Sequence, residues 1–183
     1  MKQAKFEDLF LEELADLYDA EKQIVAALPK MVAASSSAEL ARAFQEHLDE
    51  TRRQLARLER IFAEMGEEPR SRDSFGMQGL IKAGERIIGD IQKSPVLDAA
   101  LIAAAQKIEH YEISGYGTAR AMAEMLGQGT VADTLEETLD EEAAADETLT
   151  DIADSIINGE AIAEEDIEDV EEEDEEEEIE EGA

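Results

Sequence analysis

Apolar residues return every three or four positions along most of this chain, the spacing that gives a helix one buried face. Phe6, Phe10, Leu14, Leu17, Ile24 and Leu28 trace the first such face, and Glu21 falls on the same line. Ser35 to Ser37 then supply N-cap candidates for a second helix with Leu40, Phe44, Leu48, Thr51, Leu55, Leu58 and Phe62 inward, ended by Gly66. Residues 67–75, with Pro69 and several charges, read as a loop, and Met77 to Ile91 as a shorter amphipathic helix. Pro95 opens a third long helix, in which Leu97, Leu101, Ala105, Ile108, Ala119 and Met122 share a face with Glu112 until Gly127 and Gly129 stop it. A fourth runs from about Val131 to Ile157, with Leu135, Leu139, Leu149, Ile152 and Ile156 in phase with Glu142 and Asp146. Four long helices and one short one predict an all-α protein, an antiparallel four-helix bundle with an additional short helix.

The chain also repeats itself. Residue i set against residue i+91 pairs Glu21 with Glu112, Leu48 with Leu139, Asp49 with Asp140 and Glu50 with Glu141. The first helical hairpin thus resembles the second, and a period this long seen twice predicts two hairpins that face each other rather than an open solenoid.

Charge is distributed unevenly. Of 183 residues, 48 are acidic and 16 basic, a formal charge of -32. The last basic residue is Arg120, and the 63 residues after it hold 27 acids. From Asn158 onward acidic residues dominate, self-repulsion is strong and apolar groups are few, so residues 1–158 are expected to form the bundle and 159–183 a disordered acidic tail. Such a charge argues against binding nucleic-acid phosphates or an anionic membrane surface. No apolar run approaches the roughly 20 residues that cross a bilayer. Absence of cysteine excludes disulfides, thiolate metal sites and cysteine nucleophiles, and the start MKQAKFEDLF has no apolar core, from which we expect a cytoplasmic address. There is no GxSxG and no Gly-rich phosphate loop to point to an ordinary hydrolase.

The chemistry lies in acids placed where a core should be. An unpaired buried carboxylate costs several kcal/mol, so such groups sit beside cations, share protons or bind metal. Glu21 and Glu112 are on inward faces, and Glu109 lies one turn before Glu112 on the same side. His47, Glu50 and Gln54 form a column on the second helix, and the fourth offers Glu141, Glu142 and Asp146. The repeat points to Glu141 and the apolar stripe to Glu142, so both stand as candidates. One carboxylate on each of two helices, plus a carboxylate and a second ligand on each of the others, is the arrangement that holds two iron or manganese ions inside a four-helix bundle. Tyr18 and Tyr116, each near an inward Glu, are candidates to hydrogen-bond those carboxylates, whereas His110 points away from the Glu109/Glu112 face.

The stretches DLYDAEKQIVAALPKM (16–31), EHLDETRRQLARLERIF (46–62), GMQGLIKAG (76–84), KIEHYEISGYGTAR (107–120) and TLDEEAAADETLTDIA (138–153) together resemble the YciF-type branch of the ferritin-like superfamily. The resemblance covers about residues 4–158. It implies a rubrerythrin-related bundle with a fifth short helix, a homodimer, a link to bacterial stress responses and a di-metal site of poorly defined chemistry. The positions that match are Glu21 in YDAEK, Glu50 in HLDET, Glu109 and Glu112 in EHYE, and Glu142 with Asp146 in EEAAAD. This chain departs from relatives in having Gln54, a neutral oxygen ligand, where they can have His, and in lacking a Cys that some carry near Phe75. The leading expectation is a di-metal iron or manganese protein handling peroxide or oxygen, and the alternative is a non-catalytic interaction protein with a vestigial site.

Overall fold

A computed structural model describes residues 5–163. Five α-helices follow one another among the described residues: α1 (Phe6–Ala34), α2 (Ala38–Glu64), α3 (Phe75–Asp90), α4 (Pro95–Met125) and α5 (Gly129–Ile152). The expected all-α bundle with one extra short helix is therefore present, and local chemistry accounts for its joints. Ser37 and Ser94 cap α2 and α4 by accepting from Leu40 N at 3.4 Å and Leu97 N at 3.3 Å. Gly66 and Gly127, both at φ +73°, take the left-handed turn just past the ends of α2 and α4.

Two boundaries differ from the apolar pattern. The first apolar stripe ends at Leu28, whereas α1 runs on through Pro29 to Ala34. The ring loses one backbone bond, yet Leu28 and Met31 on either side are buried, and their packing carries the helix on to Ser35. At the other end α5 passes through a π-helical turn, Ala153–Ile157, in which Ile157 is fully buried, and helix continues through residue 163. The acidic segment expected to be disordered from Asn158 thus begins as helix, and the remainder of the 159–183 tail lies outside the described residues.

The long helices pack antiparallel. On α1 and α4, Leu17 meets Gly115 while Met31, further along, lies by Ala104, so one helix rises as the other falls. Gly115 lets the helices approach at that crossing: a Cβ there would come 2.7 Å from Leu17 Cδ2, and the Leu17 side chain would have to shift. On α2 and α5, Arg57 meets Glu137 while Glu39 lies by Asp151. The α1–α2 turn is tied to α4 by Asp98, fully buried, which accepts from Ser36 N at 2.8 Å, Ser36 Oγ at 2.6 Å and Ser37 N at 2.7 Å. Tyr111 on α4 donates to Asp16 on α1 at 2.7 Å, and Ser74, which starts α3, donates to Asp16 at 3.0 Å. Of α3 only Met77 is buried, with Leu80, Ile81, Ile87 and Ile88 half-buried against the bundle.

Burial repeats at the same interval as the letters. Phe10 and Leu101, Leu17 and Ile108, Glu21 and Glu112, Phe44 and Leu135, Thr51 and Glu142, Leu58 and Leu149 are all buried, each pair 91 residues apart. The apolar core is nonetheless split in two. One cluster gathers around Leu28, Phe44, Leu101 and Leu149, the other around Phe10, Phe62, Tyr116 and Leu135. Between them lies a polar layer of Glu21, His47, Gln54, Glu109, Glu112 and Glu142, all buried.

Candidate metal centre

Six of the candidate residues enter this layer, from the four long helices. Glu21 comes from α1, His47 and Gln54 from α2, Glu109 and Glu112 from successive turns of α4, and Glu142 from α5. His47, Glu109, Glu112 and Glu142 each offer a ligand atom, and those atoms all lie within 4.8 Å of one another. His47 Nε2 is 3.5 Å from Glu109 Oε2 and 4.0 Å from Glu142 Oε2. Glu21 adjoins them, held by the Tyr116 hydroxyl, which donates to its Oε1. Gln54 donates to Glu142 Oε1 and, at 3.1 Å, to Glu141 Oε2.

The electrostatics follow from crowding acids away from water. Burial, then the charge of Glu142, holds Glu21 well above the usual carboxylate range. Burial and the charge of Glu142 do the same to Glu109, and burial and the charge of Glu21 to Glu112. Burial lifts Glu142 to about 7, although hydrogen bonding to Glu109 and Gln54 works the other way. His47 is pushed down by burial to about 4, with the charge of Glu141 opposing, so its imidazole is neutral at pH 7 and able to ligate.

Several of these atoms have no hydrogen-bond partner: both ring nitrogens of His47, both oxygens of Glu112, and Oε2 of Glu21, Glu109 and Glu142. A buried polar atom without a partner costs about 1–3 kcal/mol, more when charged. Carboxylate oxygens and a neutral imidazole nitrogen, converging from four helices, are donors that a divalent cation accepts, and such an ion would give the unpartnered atoms something to bind.

The structure separates the sequence-predicted residues into two groups. Glu21, Gln54, Glu109, Glu112 and Glu142 meet in the interior. Glu50, Glu141 and Asp146 stay at its rim, with side chains 27%, 22% and 22% exposed. Glu141 is drawn aside by Arg57, whose Nη1 and Nη2 donate to it at 2.7 and 3.0 Å, so that burial, which would raise its pKa, is overcome and the group titrates below its usual range. Asp146 lies 3.5 Å from the exposed His110. Glu50 pairs with Arg53 at 3.2 Å, and burial with the charge of Glu141 raises it. Of the two tyrosines, Tyr116 reaches an interior carboxylate, but Tyr18 does not; its ring packs T-shaped with Phe62 and its hydroxyl donates to exposed Glu59 at 2.9 Å. The apolar stripe missed Arg57, buried on α2 and bonded to Thr138 at 2.7 Å, and left His47 undecided.

Comparison with known proteins agrees with this architecture. A family model described as a domain of unknown function, DUF892, matches residues 5–162. Protein YciF of Escherichia coli (strain K12) is 43% identical over 162 residues, covering 88% of this chain and 98% of that one. The crystal structure of the E. coli stress protein YciF is similar with a TM-score of 0.81, covering 85% of this chain and 99% of the other at 43% identity. YcfI from Rhodopseudomonas palustris gives 0.79 at 41% identity over 80% of this chain and 94% of that one. A protein from Xanthomonas campestris pv. campestris shares the fold alone, with a TM-score of 0.71 at 20% identity over 88% and 99%. No described helix is long and apolar enough to cross a membrane. On the strength of a family match that spans nearly the whole bundle and of the shared fold, this chain, similar to YciF, belongs to the DUF892 family.

Proposed function

We propose that this protein is a cytoplasmic stress-response protein that holds a pair of iron or manganese ions in its polar layer and handles peroxide or oxygen there. One observation carries the reading: His47, Glu109, Glu112 and Glu142 converge in the interior with ligand atoms that have no other partner. These four would hold one ion. Glu21, whose Oε2 has no partner, and Glu112, with both oxygens free, would be the residues to hold a second. When bound, the metals supply redox chemistry toward a small oxidant. The chain's own residues supply the rest. Gln54 and Tyr116 fix Glu142 and Glu21 by donating to one oxygen of each, which leaves the other oxygen for the ion. The two apolar clusters flank the layer and keep it from water on those two sides, and the interior acids hold protons that a cation displaces. The half-buried isoleucines of α3 and the exposed Phe75 beside them would form the contact of a homodimer.

Thr51 favours a second reading. It is the repeat's counterpart of Glu142, and its hydroxyl is bonded back to the His47 carbonyl at 2.8 Å, so one half of the duplicated cage lacks an interior acid on α2. A protein that kept its bundle for binding a partner and lost the metal would show this.

Elemental analysis of protein purified without chelator, together with thermal unfolding in Mn2+ or anaerobic Fe2+, separates the two. Metal at a hundredfold excess over Kd should stabilise the fold by about 2.7 kcal/mol. A midpoint that neither ion moves, with no metal in the purified protein, favours the second reading.

A further inference from the structure

The duplication leaves the two sides of the α2–α5 seam unlike. Gln54 and Arg57 on α2 correspond to Ala145 and Thr148 on α5, and Glu141 on α5 corresponds to Glu50 on α2, all 91 residues apart. On one side the long side chains of Gln54 and Arg57 cross the seam to Glu141, Glu142 and Thr138 and fill it. On the other, Ala145 and Thr148 are too short to cross. A cavity of about 140 Å3 opens there, between His47 and Glu50 of α2 and Ala144, Ala145 and Thr148 of α5, with room for several waters.

Its inner end is built from unsatisfied donors and acceptors. His47 is only 8% exposed, neither of its ring nitrogens has a hydrogen-bond partner, and Oε2 of Glu109 beside it has none either. Its outer end is acidic, with Glu46 and Glu50 on the wall. A second depression shares Ala43, Glu46 and Thr148 with the cavity and continues past Glu39 and Asp151. Two guanidinium groups stand beside these acids, Arg42 at 3.8 Å from Glu46 and the exposed Arg53 at 3.2 Å from Glu50. By contrast, the hollows under α3 and beside Gly115 touch none of the interior carboxylates.

We propose that the open half of this seam is the route by which a divalent cation passes from solvent to the interior acids, gathered by Glu46 and Glu50 and received by His47 and Glu109. The route rests on the metal-site reading above. Acidic walls raise the local concentration of a cation at the mouth. Waters in the cavity let it exchange its hydration shell for carboxylate and imidazole donors one at a time, whereas the closed half offers a fixed guanidinium that repels it.

Stopped-flow absorbance with Co2+ as the probe tests the route, with total cobalt uptake measured at the end. Thr148 is exposed at the cavity wall, so Thr148→Leu narrows the passage and Thr148→Arg copies the closed half, placing a guanidinium opposite Glu50. Both variants should load more slowly, by about tenfold or more, and reach the wild-type cobalt content. Glu46→Gln should load more slowly by a smaller factor, with a weaker dependence on salt. Thr148 variants that load at the wild-type rate overturn the route and leave the metal site standing. Wild-type protein that takes up no Co2+ overturns the metal site, and the route with it. If either Thr148 variant ends with less cobalt, Ala144→Leu on the exposed rim decides: slow loading to full content supports the route, and a wild-type rate overturns it.

Discussion

The closed and open halves of the α2–α5 seam are built on the same repeated backbone pattern, yet one is locked by Arg57 and the other is lined by alanine and threonine. In the closed half Arg57 reaches Thr138 at 2.7 Å, Glu137 at 3.0 Å and Glu141 at 2.7 Å. In the open half the counterpart of Glu141 is Glu50, which finds only Arg53 on its own helix at 3.2 Å. A duplicated hairpin need not make a symmetric site: side-chain length at two positions decides which half is a strut and which is an opening. The halves should therefore answer differently to mutation and to pH.

The largest difference is expected at Arg57. Arg57→Met removes the cross-helix cation and leaves Thr138 and Glu141 facing it without a partner. We expect a loss of about 2–3 kcal/mol in urea unfolding, less than the cost of breaking a wholly buried pair because Glu141 and Glu137 keep part of their solvent. A loss under about 0.5 kcal/mol would show that the strut contributes no more than an exposed pair.

The next test is pH, and the halves differ in sign. In the closed half Glu141 titrates below its usual range through Arg57, despite burial, so it stays ionised above neutral pH and adds no dependence there. In the open half its counterpart Glu50 is raised by burial and the charge of Glu141. In the layer between the halves Glu142 is lifted to about 7 by burial, with Glu21, Glu109 and Glu112 well above the usual range. A raised folded-state pKa gives stability that is full below the unfolded value and lost as pH climbs through the folded one. His47, lowered to about 4, acts oppositely: its contribution is full above about 6.5 and lost as pH falls toward 4. Between about pH 6.5 and 8 His47 is silent and the acids dominate, so metal-free protein should lose on the order of 1 kcal/mol per pH unit. Metal displaces those protons, and the gap between loaded and metal-free midpoints should widen over the same range. A flat apo profile in scanning calorimetry would contradict both statements.

Glu112→Gln sharpens the picture at the site itself. It keeps the shape and removes a buried acid that must hold a proton the unfolded chain would release, so metal-free protein at pH 7.5 should gain on the order of 1 kcal/mol. Metal affinity, read by calorimetric titration with Mn2+, should fall by at least the roughly 10–100-fold typical of losing an outer partner. Opposite signs in the two states are the expected result, and a change of one sign in both would remove Glu112 from the site.

How much of this was legible in letters depends on the kind of residue. The apolar stripes located all five helices because a three-to-four spacing is set by burial and survives small errors of phase. Glu21, Glu109 and Glu112 were legible for the same reason, being charges on an otherwise apolar line. Glu141 and Glu142 could not be told apart, and the structure shows why: the repeat aligned Glu141 with Glu50, and both of those lie at the rim, while the buried position one residue on holds Thr51 in one hairpin and Glu142 in the other. Arg57 was invisible because a long basic side chain beside a stripe is usually solvated, and only the acid opposite it on α5 brings it inside. His47 was ambiguous for want of a partner in sequence. Tyr18 and Tyr116 looked alike in the letters, and only the packing of Tyr18 on Phe62 separates them.

The smallest expected effect closes the comparison. Glu50 occupies in the open half the place that Glu141 occupies in the closed one, but its partner there, Arg53, has a side chain 61% exposed and sits three residues away on the same helix. Such a pair gains little in water, because solvent screens it and two long side chains must be ordered to make it. Arg53→Ala should therefore change stability by less than about 0.5 kcal/mol. It should also leave Glu50 freer to face the cavity, so cobalt loading should be unchanged or slightly faster. Should Arg53→Ala cost as much as Arg57→Met in the same urea titration, the two halves would be energetically equal struts, and the difference in side-chain length would not be what separates them.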